Sequence, residues 1–150
     1  MSETRSALSA DTVIRLLGLE PHPEGGHFAE TYRDPVTNSG DRAAGSAIYY
    51  LLRTVERSAW HRVIDASETW RWYVGASLSL LVAPPESPST TLELGDDLSA
   101  GARPQAIVPV GHLQSAASNG DWTLVGCTVA PAFEFASFEM APDGWSPDQV

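Results

Sequence analysis

An all-β fold, a barrel or a sandwich preceded by one short helix, is predicted for this chain on three observations. Short runs rich in Val, Ile, Leu, Tyr, Trp and Thr recur along it. Gly, Pro, Asn and Asp punctuate those runs, and a single stretch near the start carries a helical stripe. The helix is expected over 9–17: Ser9 or Asp11 can cap it, Val13, Ile14, Leu16 and Leu17 form its apolar stripe, and Gly18 can end it. Strands are expected at 28–32, 46–52, 59–64, 69–74, 77–82, 90–94, 106–108, 112–116, 123–129 and 134–139. No linker or repeat divides the chain, so residues 1–150 read as one domain with its core at 16–140. Residues 84–88 read as a surface loop and 141–150 as a loose tail.

Composition excludes several classes of function. The chain has 150 residues, 43% hydrophobic and 19% charged, which suits a packed globule. Nine Arg against nineteen Asp and Glu leave a net charge of −10, the wrong sign for binding phosphate backbones or anionic membranes. No Lys occurs, so Schiff-base, pyridoxal-phosphate and P-loop chemistry are all excluded. The one cysteine, Cys127, lies in an apolar run and is expected to be a buried thiol. The longest apolar run is too short to span a bilayer. The polar residues 1–10 lack the order of a signal peptide, so a cytoplasmic location is expected.

Two stretches carry a resemblance. His61, Glu68 and Gly75, in WHRVIDASETWRWYVG, fall on the spacing of the first conserved motif of the cupin superfamily. Gly101 and Pro109-Val110-Gly111 resemble the second motif, with one extra residue between them. More specifically, PHPEGG at 21–26, SAIYYLL at 46–52 and LVGCTVAPAF at 124–133 resemble the small cupin type 5 family (DUF985), in the same order. The resemblance implies an all-β double-stranded β-helix, the cupin jelly-roll barrel, commonly as a homodimer. Among small cupins it also implies epimerisation or dehydration of sugar-like and nucleoside-like substrates. One departure is Ala29, which stands where many relatives carry a basic residue.

A cupin metal site usually takes two His from the first motif, the Glu, and a third His from the second. Here Val63 replaces the second His, and Gln114 stands at or near the third. His61 and Glu68 remain, and His112 lies two residues from Gln114, where it could share its strand face. The reading is therefore metal-free, with no cofactor; a metal, if bound, would fall to His61, Glu68 and either His112 or Gln114.

Without a metal, the inward polar groups are acid–base tools. Strand alternation turns His61 inward with Val63, and Glu68 inward with Trp70 and Trp72. His61 is the expected base, Glu68 its orienting or acidic partner, and Tyr73 or Gln114 the group that holds an oxyanion. Tyr73 can reach that site only if a bulge breaks the alternation. Glu139 is a further expected pocket carboxylate. Trp70, Trp72 and Tyr49 or Tyr50 are expected to contact a ligand. His22 and Glu24 in PHPEGG read chiefly as structure, with a substrate lid as the alternative.

The expected function is acid–base catalysis on a small sugar-like or nucleoside-like carbonyl compound, either epimerisation (isomerisation) or dehydration. The alternatives are a cupin that binds a small molecule without turnover, and a metal-dependent oxygenase or isomerase.

Overall fold

The structure, a computed structural model, describes residues 8–35 and 42–148. Helix α1 (Ala10–Leu17) begins where Ser9 Oγ accepts the Thr12 amide at 3.2 Å, and ends at Gly18, whose φ of 66° suits a residue without Cβ. Eleven strands follow among the described residues: β1 (Glu20–Pro21), β2 (His27–Arg33), β3 (Ser46–Arg53), β4 (Arg57–Val63), β5 (Ser67–Gly75), β6 (Leu78–Ala83), β7 (Thr90–Leu94), β8 (Gln105–Val108), β9 (Leu113–Ser118), β10 (Trp122–Ala130) and β11 (Phe138–Met140). All pair antiparallel in two sheets, ordered β1-β2-β3-β10-β5-β8 and β11-β4-β9-β6-β7.

The core lies between the sheets. Tyr50, Leu52, Trp70, Leu78, Leu80, Val82, Val108, Val125 and Cys127 meet there, one face from each strand. β10 is buried along nearly its whole length, because α1 covers part of its outer face. Val13 of α1 packs there against Leu19, Leu51, Trp122 and Leu124. A strand covered on both sides has no polar face to show, so its sequence reads as an apolar run.

Three expectations change. The strand expected at 134–139 is instead a 3-10 turn (Phe135–Ser137) followed by β11, because Ser137 folds back to donate to Asp65 at 2.9 Å and its carbonyl accepts the Ile64 amide. The tail is docked rather than loose. The Ala141 amide donates to Trp60 O at 2.9 Å, the Trp145 ring meets Trp60 edge-on, and the Asp148 carboxylate accepts both the amide and the hydroxyl of Ser89; residues 149–150 lie outside the described residues. His112 sits in the turn before β9, its amide bonded to Pro109 O, and not in the strand.

Candidate functional site

Between the sheets, at one end, a cavity of about 510 Å³ is lined by His22, Glu24, Phe28, His61, Glu68 and Cys127 in its depth, with Glu30, Arg33, Phe133, Glu134, Phe135 and Phe138 among its other walls. That volume suits a small molecule. His61 comes from β4 and Glu68 from β5, both on the inward face that alternation assigns them.

His22 and Glu24 arrive from the β1–β2 turn, which is sunk into the barrel. Gly25 and Gly26 let it sink, with φ of 110° and 76°. A Cβ on Gly25 would lie 2.1 Å from Arg57 O, and one on Gly26 2.8 Å from Leu51 O. The Tyr50 hydroxyl ties the turn down by donating to Gly25 O at 2.5 Å, and the Ala59 amide donates to Glu24 O at 2.8 Å.

Hydrogen bonds place the protons on both rings. The Glu24 amide donates to His22 Nδ1 at 3.1 Å, so that nitrogen carries no proton. Burial, and the nearby His61, lower the His22 pKa to about 4. The Glu24 Oε1 at 3.3 Å from the same nitrogen is therefore not an ion pair. At His61, Nδ1 lies 2.7 Å from Ala59 O and donates its proton there, leaving the Nε2 lone pair bare. Burial pushes the His61 pKa down, against the opposing influence of Glu68 and the Ala59 bond.

The carboxyls move the other way. Burial raises Glu24 to about 8, although the hydrogen bond from the Ser58 hydroxyl favours its charged form. Glu24 Oε2 stands 3.4 Å from His61 Nε2. With burial penalising both charges, this pair is neutral: carboxylic acid beside free imidazole. Burial likewise raises Glu68 to about 7, with His61 opposing and Glu24 adding to the rise. Cys127 is held as a thiol by burial and by the two carboxyls.

Gln114 is fixed behind Glu68. An indole can only donate, so the Trp70 Nε1–H bond at 2.9 Å must go to Gln114 Oε1, and the amide NH₂ then donates to Glu68 Oε1 at 3.0 Å. This answers the metal question from the donors present. Gln114 has its oxygen engaged, Val63 has no donor, and His112 lies outside the cavity lining with Nδ1 3.3 Å from Val110 O. Among the described residues no group of three or more His, Cys, Asp or Glu side chains is placed to hold a metal ion. The residues do not fit the usual cupin metal.

Several expected site residues lie elsewhere. A bulge does occur in β5, where Val74 pairs with Leu124 and Trp72 with Val125, but it leaves Tyr73 outside. That ring lies over Gly126 on the outer face and packs edge-on against Tyr49 at 6.2 Å, so neither tyrosine reaches the cavity. Glu139 pairs with Arg62 at 2.7 Å on the outer face, since its neighbour Phe138 is the β11 residue turned to the cavity. Trp70 and Trp72 are core: the first is 1% exposed behind Gln114, and the second donates to Ala76 O at 3.0 Å. What sequence reasoning took chiefly as structure, His22 and Glu24, the fold brings into the cavity. Their signal was an invitation to structure, a His and a Glu two apart before a Gly pair.

The chain belongs to a small cupin family. The family model described as "Cupin superfamily (DUF985)" matches residues 11–141. A crystal structure of a protein from Shewanella oneidensis is 44% identical, covering 89% of this chain and 85% of that one, with a TM-score of 0.84. A hypothetical protein from Leishmania major is 28% identical over 89% of this chain and 88% of its own, with a TM-score of 0.80. A dTDP sugar isomerase from Desulfovibrio desulfuricans shares the fold at 12% identity, covering 84% of this chain and 88% of that one, with a TM-score of 0.58. No protein of curated function matches the sequence. Among the described residues no helix is long and apolar enough to cross a membrane.

Proposed function

We propose that the cavity performs metal-independent acid–base chemistry on a small carbonyl compound, with sugar-like and nucleoside-like aldehydes and ketones as the starting class. One observation carries this: a bare imidazole nitrogen, His61 Nε2, beside a carboxyl, Glu24, that burial keeps protonated at neutral pH. A base and an acid ready together in one buried pocket is the pairing that proton transfer next to a carbonyl requires.

His61 Nε2 takes the proton α to the carbonyl. Glu24 gives its proton to the oxygen that gathers charge as the enolate forms; Ser58 holds its carboxyl in place, and Tyr50 holds the turn that carries it, through Gly25 O. Return of a proton to the other face of the carbon gives epimerisation. Departure of a β-hydroxyl, protonated by Glu68, gives dehydration. Acid–base help of this kind contributes ~10²–10⁴-fold, and hydrogen bonding to the enolate in a low dielectric must supply the rest. A dTDP sugar isomerase with the same fold is consistent with isomerisation.

The test is a panel of aldehydes and ketones incubated with the protein in D₂O and followed by proton NMR. Deuterium wash-in at the α-carbon that is lost in His61→Ala and reduced ~10²-fold or more in Glu24→Gln is the expected result. Exchange that survives His61→Ala would refute the reading, provided the variant keeps the wild-type circular dichroism spectrum. Activity that disappears with chelator and returns with a transition metal would refute its metal independence.

A further inference from the structure

Of the two imidazoles in the cavity, His61 carries the proton transfer and His22 takes no part in it. Yet the fold holds His22 firmly. Its amide donates to Gly26 O and its carbonyl accepts the Gly25 amide, both at 2.9 Å. Its ring meets those of Phe28, Tyr50 and Phe138 edge-on, with centroids 4.6, 5.8 and 6.2 Å away. The side chain is 5% exposed and lines the cavity.

The Glu24 amide donates to His22 Nδ1 at 3.1 Å, which leaves the ring's one proton on Nε2. Protonating Nδ1 would break that bond, and burial opposes the charge as well, so the ring is a fixed neutral donor. No group among the described residues accepts the Nε2 proton. Nor is that nitrogen sealed in: the side-chain nitrogens buried without a partner, among the described residues, belong to His27, Arg42 and Arg53. Nε2–H therefore opens on the cavity that His22 lines. A ligand that fills the cavity expels water from this donor, and one without an oxygen there leaves it unpaired, which is costly. Both Glu24 contacts, the amide and Oε1 at 3.3 Å, lie on the Nδ1 edge of the ring. The two ring nitrogens diverge, so Nε2–H and the Glu24 acid address different oxygens. Charge does not sort ligands at the walls, where Arg33 pairs with Glu30 at 2.7 Å and Arg42 with Glu134 at 3.3 Å. Hydrogen bonds are left to do so.

We propose that His22 Nε2–H binds a second oxygen of the substrate, so that the cavity prefers hydroxy-aldehydes and hydroxy-ketones to carbonyl compounds with a methyl in place of that hydroxyl. This rests on the acid–base reading above and narrows its substrate class. His22 touches the substrate and exchanges no proton with it.

The experiment takes protein labelled with ¹⁵N at its histidine rings and titrates it by NMR at neutral pH. The ligands are hydroxyacetone and 2-butanone, which carries a methyl in place of the hydroxyl. Before ligand is added, the His22 proton is expected on Nε2 and not on Nδ1. Hydroxyacetone is expected to shift the His22 Nε2 signal and to bind ~10-fold more tightly than 2-butanone. His22→Asn keeps an oxygen for the Glu24 amide and removes the donor, so it should stay folded and lose the preference. His22→Gln, which returns an N–H donor near the Nε2 position, should recover most of it. A His22 proton on Nδ1, or an Nε2 signal that hydroxyacetone does not move, overturns the proposal. Equal binding of the two ketones overturns it as well, and so does a preference that survives His22→Asn. Should His22→Asn unfold the protein, the wild-type titration alone decides among these results. The readout needs no turnover, so its failure leaves the His61-dependent proton exchange standing, and failure of that exchange leaves oxygen binding at His22 standing.

Discussion

His22 and His61 share one cavity, and each has its proton placed by a backbone group. The Glu24 amide claims Nδ1 of the first, and the Ala59 carbonyl takes the Nδ1 proton of the second. Only His61 therefore offers a bare nitrogen to the acid at Glu24. The pH dependence of turnover follows. His61 is lowered, so its base form persists below the ordinary imidazole value of 6.5; Glu24 keeps its proton up to about 8. The rate against pH should show an acid limb below pH 6.5 and an alkaline limb near 8, and Glu24→Gln should remove the alkaline limb that Glu24 sets. Tyr73→Phe and Glu139→Gln, on the outer face, should leave kcat/KM within about twofold of wild type. His61 and Glu68 were legible because strand parity puts them inside. Parity alone turned Tyr73 outward, and the bulge in β5 did not bring it in; Tyr49 was one choice from a Tyr-Tyr pair, and Glu139 was expected from the resemblance. A one-residue slip or a bulge reverses a side chain, and no signal in the sequence says which member of a Tyr-Tyr pair faces in.

At the scale of elements, the β1–β2 turn does most to build the site. Its role was not legible, because a turn has no period, and His22 and Glu24 carry no pattern that points inward. The paired glycines suit a tight turn, yet the depth to which it sinks depends on β3 and β4, which are distant in sequence. Gly25→Ala should cost about 2–4 kcal/mol by thermal or urea unfolding. It combines a left-handed φ with a Cβ driven into the Arg57 carbonyl. Gly18→Ala meets no neighbour and should cost only the left-handed penalty of about 1–2 kcal/mol. Some strands were read nearly to the residue, as at 90–94 and 46–52. The 3-10 turn before β11 was not, since an aromatic-rich run looks like a strand until Ser137 bonds to Asp65.

Across the whole molecule, the barrel buries ionisable groups in both directions, so its stability should narrow from both sides. Glu24 and Glu68 have folded values raised above 4.5, to about 8 and about 7, so the folded state binds their protons more tightly. The stability present below pH 4.5 is lost as pH rises toward 8. His22 and His61 are lowered below 6.5, so stability present above that value is lost as pH falls toward 4. The melting temperature should therefore peak between these limbs, and Glu24→Gln should flatten the alkaline side by removing the buried acid. The overall fold was legible because its signals are distributed: periodic strands, turn residues and family motifs agree along most of the chain. The site depends on a few side chains meeting across strands, which only the closed barrel brings about.

The most direct test of the neutral acid–base pair is an NMR titration of protein labelled with ¹³C at Glu carboxyls and ¹⁵N at His rings. The Glu24 carboxyl is expected to remain protonated until about pH 8, and the His61 ring, lowered from its ordinary 6.5, to be mainly neutral at pH 6.5 with its proton on Nδ1. A Glu24 midpoint near the ordinary 4.5, with His61 charged at neutral pH, would show an ion pair in place of an acid and a base. That result would contradict the account.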